Sequence, residues 1–383
     1  ASRFTMVLKH PGALRTMITH ATRVGIGEAY IYDEFDIEGD IAHAFRMANY
    51  LTTLELGLAE KMRMAALLRR LPSHAPVRQG RAPAELRGAI HSKERDRQAV
   101  RYHYDVSNDF FPLWLDPWMQ YSCAYFQSQE DTLETAQERK LDYLCRKLDL
   151  HPGERVLDLG CGWGGFLIYA ARNYGVVSRG ITLSQMQADY ANRWIEREGL
   201  QEKAHVDVLD YRDLEEIESF DKIVSVGMFE HVGAHMMPEY FTRVHRLLKR
   251  GGRFLNHGIA SGFNAVVMDG DSFSDKYIFP DSELLPISST VKAAETTGFE
   301  VRDLESLREH YALTLAHWLS RLEAHHDEAV HASDESVYRT WRLNHAGAAI
   351  GFQTGRTSVY QMLCVKPLNG QSMMPLTRHN WYA

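Results

Sequence analysis

The feature that most constrains the fold is a short aliphatic segment that runs directly into a glycine-rich turn. The segment spans residues 156–159 and predicts a buried strand. An apolar stretch with helical spacing begins after the turn, at Phe166. A strand, a glycine turn and a helix form the first unit of a doubly wound α/β domain, in which a ligand can approach the turn backbone closely. We therefore predict a nucleotide-type cofactor site at the turn, whose glycines are Gly160, Gly162, Gly164 and Gly165.

Strands and helices alternate along the rest of the chain. Such alternation is typical of a mostly parallel sheet that binds ligands at the carboxyl ends of its strands. The predicted fold class is therefore α/β, with a doubly wound, mostly parallel sheet of the Rossmann-like kind. The further predicted strands cover residues 175–183, 204–210, 220–228, 251–259 and 358–365, and the predicted helices cover residues 135–148, 185–198, 239–249 and the stretch around 311–325.

The length of 383 residues allows two domains. Residues 1–72 form a first, smaller α+β unit, in which apolar residues recur at helical spacing between positions 41 and 71. Prolines and glycines interrupt this pattern, and we predict a linker over residues 73–98. The main domain then covers residues 99–383, with an insertion at about 260–325. The chain begins at Ala1 without a methionine, and the sequence does not decide whether residues precede it.

The net charge and its distribution along the chain indicate which kinds of binding partner the protein has. The net charge of −7 argues against a general nucleic-acid-binding protein. Residues 69–101 nevertheless hold nine lysines and arginines against three acids. This basic segment is typical either of a solvated linker or of a patch that faces an anionic surface. No apolar segment approaches the roughly 20 residues that a membrane-spanning helix needs.

Cysteine and histidine usage predicts no metal site and a reduced, cytoplasmic protein. The cysteines are scattered without the spacing of metal ligands. Three histidines lie close together in the sequence, but they stand among acids on a helix that we expect to be exposed. These residues are Cys123, Cys145, Cys161 and Cys364, and His325, His326 and His331.

The segment after the second predicted strand helps to identify the cofactor. A dinucleotide site would place Asp or Glu there to bind the ribose hydroxyls, and this chain has Thr182-Leu-Ser184 instead. This difference argues against NAD as the cofactor and favours S-adenosylmethionine. Asp158, close to the glycine turn, would face the cationic amino-acid end of that cofactor, and Asp210 would lie on its adenosine side.

Several longer motifs make the chain similar to one family. The sequence resembles the cyclopropane-fatty-acid synthases, a family that includes the mycolic-acid cyclopropane synthases. The motifs that carry the resemblance are Tyr102-His-Tyr-Asp-Val-Ser-Asn-Asp-Phe-Phe, Tyr121-Ser-Cys-Ala-Tyr-Phe, Val156-Leu-Asp-Leu-Gly-Cys-Gly-Trp-Gly-Gly, Gly180-Ile-Thr-Leu-Ser, Asp210-Tyr-Arg-Asp, Ser225-Val-Gly-Met-Phe-Glu-His-Val-Gly, His257-Gly-Ile and Lys276-Tyr-Ile-Phe-Pro. They are spread over residues 98–365 in the order of the family. The unit before residue 70 resembles the amino-terminal domain of the phospholipid-acting bacterial members.

The resemblance implies the chemistry and the residues that perform it. The family adds the methyl carbon of S-adenosylmethionine across a cis double bond of an acyl chain, and a bound bicarbonate then removes a proton from the resulting carbocation. The anion requires directed hydrogen-bond donors. The positions that match this site are Cys123 and Ile259 (through backbone N–H groups), His257 and Tyr311 (through side chains), and Glu230 as the group that orients the anion.

The same match to the motifs of the family also implies which residues contact the cofactor. We expect His231 to be structural, and we do not expect the thiol of Cys123 to be a nucleophile. The aromatic rings of Tyr121, Phe126 and Trp163 either pack in the core or face the cationic centres of the reaction. The predicted cofactor-binding residues are Tyr121, Ser122, Asp158, Gly160, Gly162, Thr182, Ser184, Gln187, Asp210 and Tyr211.

The leading interpretation is a synthase that acts on unsaturated phospholipid chains and binds peripherally to the inner, anionic face of the membrane. A second interpretation gives a methyl- or methylene-branched chain from the same cation. A third is a small-amine N-methyltransferase, and a fourth is a lipid-binding protein without activity. Members of the family are often dimers, so we expect a homodimer by analogy.

Overall fold

The computed structural model describes residues 3–19, 23–52, 57–72, 78–104, 106–265 and 272–382. The strands within these ranges are β1 (Phe4–Leu8), β2 (Phe35–Gly39), β3 (Arg155–Leu159), β4 (Val177–Thr182), β5 (Ala204–Val208), β6 (Phe220–Val226), β7 (Leu248–Ser261), β8 (Glu300–Ser306) and β9 (Thr357–Val365). The helices are α1 (Ala13–Thr19), α2 (Arg23–Ile31), α3 (Ile41–Thr52), α4 (Leu58–Leu68), α5 (Lys93–Tyr104), α6 (Leu133–Leu148), α7 (Gly165–Tyr174), α8 (Gln185–Arg197), α9 (Met237–Leu247), α10 (Phe273–Tyr277), α11 (Ile287–Thr296), α12 (Arg308–Ala324), α13 (His326–Ala332) and α14 (Glu335–Gln353).

A seven-stranded sheet positions the site. Its strand order is β5-β4-β3-β6-β7-β9-β8, in which the first five strands are parallel and β9 runs antiparallel to both of its neighbours. The predicted α/β fold is confirmed, and β3 with its glycine turn lies next to β4 and β6. The predicted strands agree with β4, β5, β6 and β9 to within a few residues, whereas the fifth predicted strand is the central part of a longer β7.

The sequence prediction missed β8 because that strand carries no apolar run. Its sequence, Glu-Val-Arg-Asp-Leu-Glu-Ser, alternates half-buried with exposed positions, as expected for a strand at the edge of a sheet. The strand nevertheless contributes to the interior, because Glu305 accepts hydrogen bonds from Tyr143 and from Lys147 on α6.

Three glycines of the turn after β3 have positive φ angles, which residues with a side chain rarely adopt. The angles are 76° at Gly160, 55° at Gly162 and 86° at Gly164. Gly165 begins α7 for a different reason. A Cβ atom on this residue would lie 2.0 Å from the backbone carbonyl oxygen of Trp118 and 2.3 Å from the side-chain amide nitrogen of Gln120. The glycine turn therefore packs directly against the segment that leads to Cys123.

The amino-terminal residues pack against α14. Strands β1 and β2 form a separate antiparallel pair. Arg339 donates hydrogen bonds to the carbonyl oxygens of Tyr30 and Phe35, and Arg342 does the same for Ile37 and Gly39. Buried guanidinium groups with several acceptors make such contacts specific. These residues contain both helices and strands, and the division of the chain near residues 72–98 stays a prediction.

Candidate functional site

A cavity lies at the carboxyl edge of the parallel strands. Its wall on the sheet side comes from the glycine turn and from the segments that follow β4, β5 and β6. The opposite wall is α5, which contributes Asp96, Ala99, Val100, His103 and Tyr104. The family motif that begins at Tyr102 covers only the last residues of α5, so the sequence analysis missed the first turns of this wall. The predicted cofactor residues that line the cavity are Gly160, Gly162, Thr182, Gln187, Asp210 and Tyr211.

Thr182 and Gln187 form a polar pair in this wall. The hydroxyl of Thr182 donates a hydrogen bond of 2.7 Å to the side-chain oxygen of Gln187. The amide nitrogen of Gln187 is buried without a hydrogen-bond partner, and the phenol of Tyr104 lies next to it. Buried donors normally have a hydrogen-bond partner. Because this one has none, the amide is available to bind a ligand. Ser184 does not line the cavity. It caps α8 by accepting the backbone N–H of Gln187 at 3.3 Å.

The carboxylate of Asp210 is held by its neighbour. Arg212 donates to its two oxygens at 2.8 and 2.6 Å, and the same guanidinium binds Asp96 on α5 at 2.7 Å. This bridge fixes α5 against the end of β5. Arg212 was not predicted as a site residue, although it lies within a quoted motif. Contact of Asp210 with adenosine stays a prediction, because much of its hydrogen-bonding capacity serves the bridge.

Asp158 and Ser122 lie behind the cavity wall, around the buried ammonium of Lys140. Ser122 accepts a hydrogen bond from Lys140 at 2.9 Å. Burial raises the pKa of Asp158 to about 7, and the charge of Lys140 acts in the opposite direction. Neither residue is among those that line the cavity. Tyr121 also lies further inside, where its ring stacks on His103 with centroids 5.6 Å apart.

Glu230 is the acid of a buried cluster beyond the cavity. It lies on a short 3₁₀ turn after β6, and its side chain is almost fully buried. One carboxyl oxygen accepts the backbone N–H of Ile259 at 3.4 Å, and the other has no partner. A Cβ atom on Gly258 would lie 2.6 Å from that second oxygen, so the glycine leaves room for it. Burial raises the pKa of Glu230 to about 7.

His257 lies on β7, two residues before Ile259. Its ring is 1% exposed, and neither nitrogen has a hydrogen-bond partner. Burial lowers its pKa to about 3, and the charges of Lys140 and Lys147 add to this effect. The ring is therefore neutral at physiological pH and presents one donor and one acceptor. Gln361 on β9 pairs with His257 across the sheet, and both atoms of its buried amide also lack partners. The sequence did not indicate Gln361.

Cys123 and Tyr311 complete the cluster. The thiol of Cys123 is fully buried and donates to the carbonyl oxygen of Leu307 at 3.6 Å. Burial raises the pKa of this thiol, so it is not a reactive thiolate. Burial also raises the pKa of Tyr311, and the neighbours that add to the effect include Cys123 and Glu230. The structure thus brings Cys123, Glu230 and Tyr311 together, with Ile259 bound to Glu230.

The raised pKa of Glu230 predicts a specific dependence of stability on pH. The folded state binds the proton of Glu230 more tightly than the unfolded state, whose ordinary value is 4.5. The resulting stabilisation is complete below pH 4.5 and is lost as the pH rises to about 7. We expect the free energy of unfolding of Glu230→Gln, relative to that of the wild type, to rise by about 3 kcal/mol between pH 4 and pH 8, as measured by urea unfolding. If the variant and the wild type differed by the same free energy at both pH values, Glu230 would not be a buried carboxyl without an ion-pair partner.

The structure offers no metal site among the described residues, because no group of three or more His, Cys, Asp or Glu side chains is suitably arranged. His326 instead makes hydrogen bonds to Asp327 and Glu335. All four cysteines are buried and free.

Comparison with known proteins gives a consistent result over most of the chain. The family described as mycolic acid cyclopropane synthetase matches residues 91–362. A probable fatty acid methyltransferase of Pseudomonas putida is 39% identical over 382 residues, which cover 99% of this chain and 91% of the relative. The cyclopropane-fatty-acyl-phospholipid synthase of Escherichia coli K12 is 36% identical over 344 residues, which cover 89% of this chain and 83% of the relative. The crystal structure of a mycolic acid cyclopropane synthase complexed with SAH and CTAB has a TM-score of 0.66 and 35% identity, and the match covers 70% of this chain and 97% of that one.

Proposed function

Because the chain belongs to the mycolic acid cyclopropane synthetase family, we propose that it adds a methylene carbon from S-adenosylmethionine to the cis double bond of an unsaturated acyl chain in a membrane phospholipid. The product of the proposed reaction is a cyclopropane ring. The chain is an S-adenosylmethionine-dependent methyltransferase that acts on lipids. The observation that carries the finer proposal is the buried cluster around Glu230 and His257, with its unpartnered polar atoms.

The residues of the cavity fit S-adenosylmethionine. The positive φ angles at Gly160 and Gly162 keep the turn free of side chains, and the buried amide of Gln187 offers an unused donor. The segment Thr182-Leu-Ser184 contains no Asp or Glu of the kind that binds the ribose of a dinucleotide. When bound, S-adenosylmethionine supplies an electrophilic methyl group. The residues of the strand edge would hold it, and Tyr104, which lines the cavity, is near enough to Glu230 for that carboxyl to affect the pKa of its phenol.

The buried cluster fits a small anion that acts as a base, which we propose to be bicarbonate. The unpaired oxygen of Glu230 can accept a hydrogen bond from the hydroxyl of the anion and so orient it, and the unpartnered ring of His257 offers a donor. A phenol such as that of Tyr311 is a further donor. When bound, bicarbonate supplies the proton acceptor. The side chains of Cys123, His257 and Tyr311 all remain uncharged near neutral pH, because burial moves their pKa values away from neutrality. The undissociated thiol and phenol are poor nucleophiles, and the neutral imidazole of His257 keeps one N–H donor for the anion.

Aromatic rings surround this region. Tyr121 lies 5.2 Å from Trp114 and 5.2 Å from Trp318, measured between ring centroids, and Trp318 lies 5.9 Å from Tyr311. The π faces of such rings can stabilise a sulfonium or a carbocation where water is excluded. This packing supports the proposal that the aromatic residues have a role in the reaction besides forming the core.

Transfer of label tests the proposal. The chain is incubated with S-adenosylmethionine labelled in the methyl group and vesicles of unsaturated phospholipid, and the lipid is extracted. We expect label in the acyl chains and none with vesicles of saturated phospholipid. Label on an amine headgroup, or no label at all, would contradict the proposal. A branched product is the main alternative, since the relative from Pseudomonas putida is named only as a probable fatty acid methyltransferase.

We also propose that the enzyme binds peripherally to an anionic membrane surface, and that helix α4 makes the contact. In the basic segment that the sequence indicated, Arg78 pairs with Glu28, Arg95 pairs with Asp281, and Arg81 is held by backbone carbonyls. Helix α4 offers a better surface, because every residue of Leu58–Leu67 is exposed. No helix among the described residues is long and apolar enough to span a membrane.

Helix α4 exposes both apolar and cationic side chains. Leu58, Met62 and Leu67 are 75%, 59% and 54% exposed, although their side chains are apolar. Lysines and arginines on and directly after the helix are exposed as well, and Glu60 is the one acid within it. Apolar residues that can enter the headgroup region, together with cations that attract anionic lipid, favour a membrane surface as the partner. The cations are Lys61, Arg63, Arg69 and Arg70.

Neutralising these four cations with glutamine is expected to weaken binding to anionic phospholipid vesicles at least about tenfold, because each cation near such a surface contributes about 1 kcal/mol. Sedimentation with vesicles measures the effect. The matched control replaces Arg172, Arg193, Lys203 and Arg250, which are exposed cations of the sheet domain. Equal losses in the two variants would show that net charge, and not α4, determines binding. A homodimer stays a prediction.

A further inference from the structure

Lys140 is a buried cation that the proposed chemistry does not use. It lies on α6 with 0% exposure, where an uncompensated ammonium would be costly. Its ammonium donates hydrogen bonds of 2.6 Å to the side-chain oxygen of Gln120 and of 2.9 Å to the hydroxyl of Ser122. Both acceptors are neutral. The charge of Lys140 is therefore not neutralised by the two groups that it contacts.

These contacts belong to a set that fixes the loop before Cys123. Gln137, one turn earlier on α6, donates to the carbonyl oxygens of Gln120 and Ser122 at 3.3 and 2.9 Å. From the other side, the carboxylate of Asp116 accepts the backbone N–H groups of Trp118 and Gln120 at 2.8 and 2.9 Å. The loop that precedes the predicted anion donor thus has its backbone held at several points, which restricts its conformations.

The charge of Lys140 lies between the two parts of the site. It affects the protonation of Asp158 on the cofactor strand, and also that of Cys123 and His257 in the buried cluster. Lys147 is the other lysine whose charge acts on His257, but its ammonium is paired with Glu305 at 2.5 Å and Asp303 at 3.4 Å. Asp116 and Asp158 act on the charge of Lys140, but neither carboxylate forms an ion pair with its ammonium. An anion in the cluster would therefore meet Lys140 as a cation without a contacting carboxylate.

We propose that Lys140 is a positioning residue for the methyl-transfer reaction, which holds the Gln120–Ser122 loop in place and supplies the buried positive charge that retains the anionic base. This inference rests on the proposed function, because it takes the base to be a small anion such as bicarbonate. It adds a residue of α6 to a site otherwise built from the strand ends, the Tyr121–Cys123 segment and α12.

Two variants separate the charge from the hydrogen bonds. Lys140→Gln removes the charge and keeps a donor, whereas Gln137→Met removes bonds to the loop and keeps the charge. The probe is bicarbonate, titrated in buffer freed of carbon dioxide, with unsaturated phospholipid vesicles as the acceptor. We expect the bicarbonate concentration for half-maximal turnover to rise at least about tenfold in Lys140→Gln. In Gln137→Met we expect kcat to fall while this concentration changes by no more than about twofold.

The matched control is Lys222→Gln, which removes another buried lysine, at the start of β6 and paired with Glu154. An unchanged bicarbonate requirement in Lys140→Gln, or the same change in Lys222→Gln, overturns the inference while leaving the proposed function intact. A wild type that methylates lipid without any bicarbonate requirement overturns both the anionic base and the role of Lys140. If Lys140→Gln does not fold, Lys140→Arg replaces it. We expect this variant to have a lower kcat with a nearly unchanged bicarbonate requirement, because the charge is kept. An unchanged kcat together with a strongly raised bicarbonate requirement overturns the inference.

Discussion

The Glu230→Gln variant is expected to lower kcat at least about 100-fold, which is the usual scale for loss of a group that orients a base or stabilises charge in the transition state. The amide keeps the shape of the side chain but cannot accept a proton. The carboxyl lies in the buried cluster with an unpaired oxygen, and it does not line the cofactor cavity. We therefore expect the dissociation constant of S-adenosylmethionine to stay within about threefold of the wild type. Calorimetry and a lipid methylation assay measure the two quantities.

A surface acid provides the comparison for this variant. Glu239 pairs with Arg243 four residues later on the same helix and is 42% exposed at its side chain. Glu239→Gln is expected to leave kcat and cofactor binding near the wild-type values, because exposed pairs of this kind contribute little. Full activity of Glu230→Gln would show that the base cluster is wrongly assigned. A parallel loss of cofactor binding would instead place Glu230 in the cofactor site.

The Gly165→Ala variant is expected to lose about 3 kcal/mol of stability, which is the upper part of the range for overpacking a filled interior. The added methyl group would lie 2.0 Å from a backbone oxygen of Trp118, which a rotamer change cannot move away. The loop that leads to Cys123 would have to shift instead. We therefore expect weaker cofactor binding and a lower kcat together, since the same contact joins the glycine turn to that loop. Urea unfolding measures the change in stability.

Gly347 provides the matched control within α14. A Cβ atom on this residue would lie 3.4 Å from the ring of Phe45, a distance that requires little adjustment. Alanine has the higher helix propensity, so Gly347→Ala is expected to be neutral or to stabilise the protein by up to about 1 kcal/mol. If Gly165→Ala were equally harmless, the close packing of the turn against Trp118 would be wrong.

The sequence predicted the features that depend on local patterns. The glycine turn, the parallel strands and α12 with Tyr311 are encoded in short stretches whose periodicity is clear. The buried cluster was indicated by the resemblance to a family, and the structure brings Cys123, Glu230, Tyr311 and Ile259 close together. Glu230 and Ile259 are in direct contact, although 28 residues stand between them in the sequence.

Features that depend on distant contacts could not be predicted in the same way. Asp210 has a carboxylate suited to a ligand, but the hydrogen bonds from Arg212 that occupy it become visible only in the folded chain. Lys140 reads as an ordinary helical lysine, because its burial follows from the packing of α6 beneath the Gln120–Ser122 loop. Strand β8 lacks an apolar run and is recognised only by its pairing with β9.

The central claim is that a proton leaves the transferred methyl group in the cluster around Glu230 and His257. The most direct test supplies S-adenosylmethionine with a fully deuterated methyl group and unsaturated phospholipid vesicles, followed by mass spectrometry and NMR of the modified acyl chain. The account predicts a cyclopropane ring whose new carbon keeps two of its three deuterium atoms. A branched chain that keeps all three, or label outside the acyl chain, would contradict it.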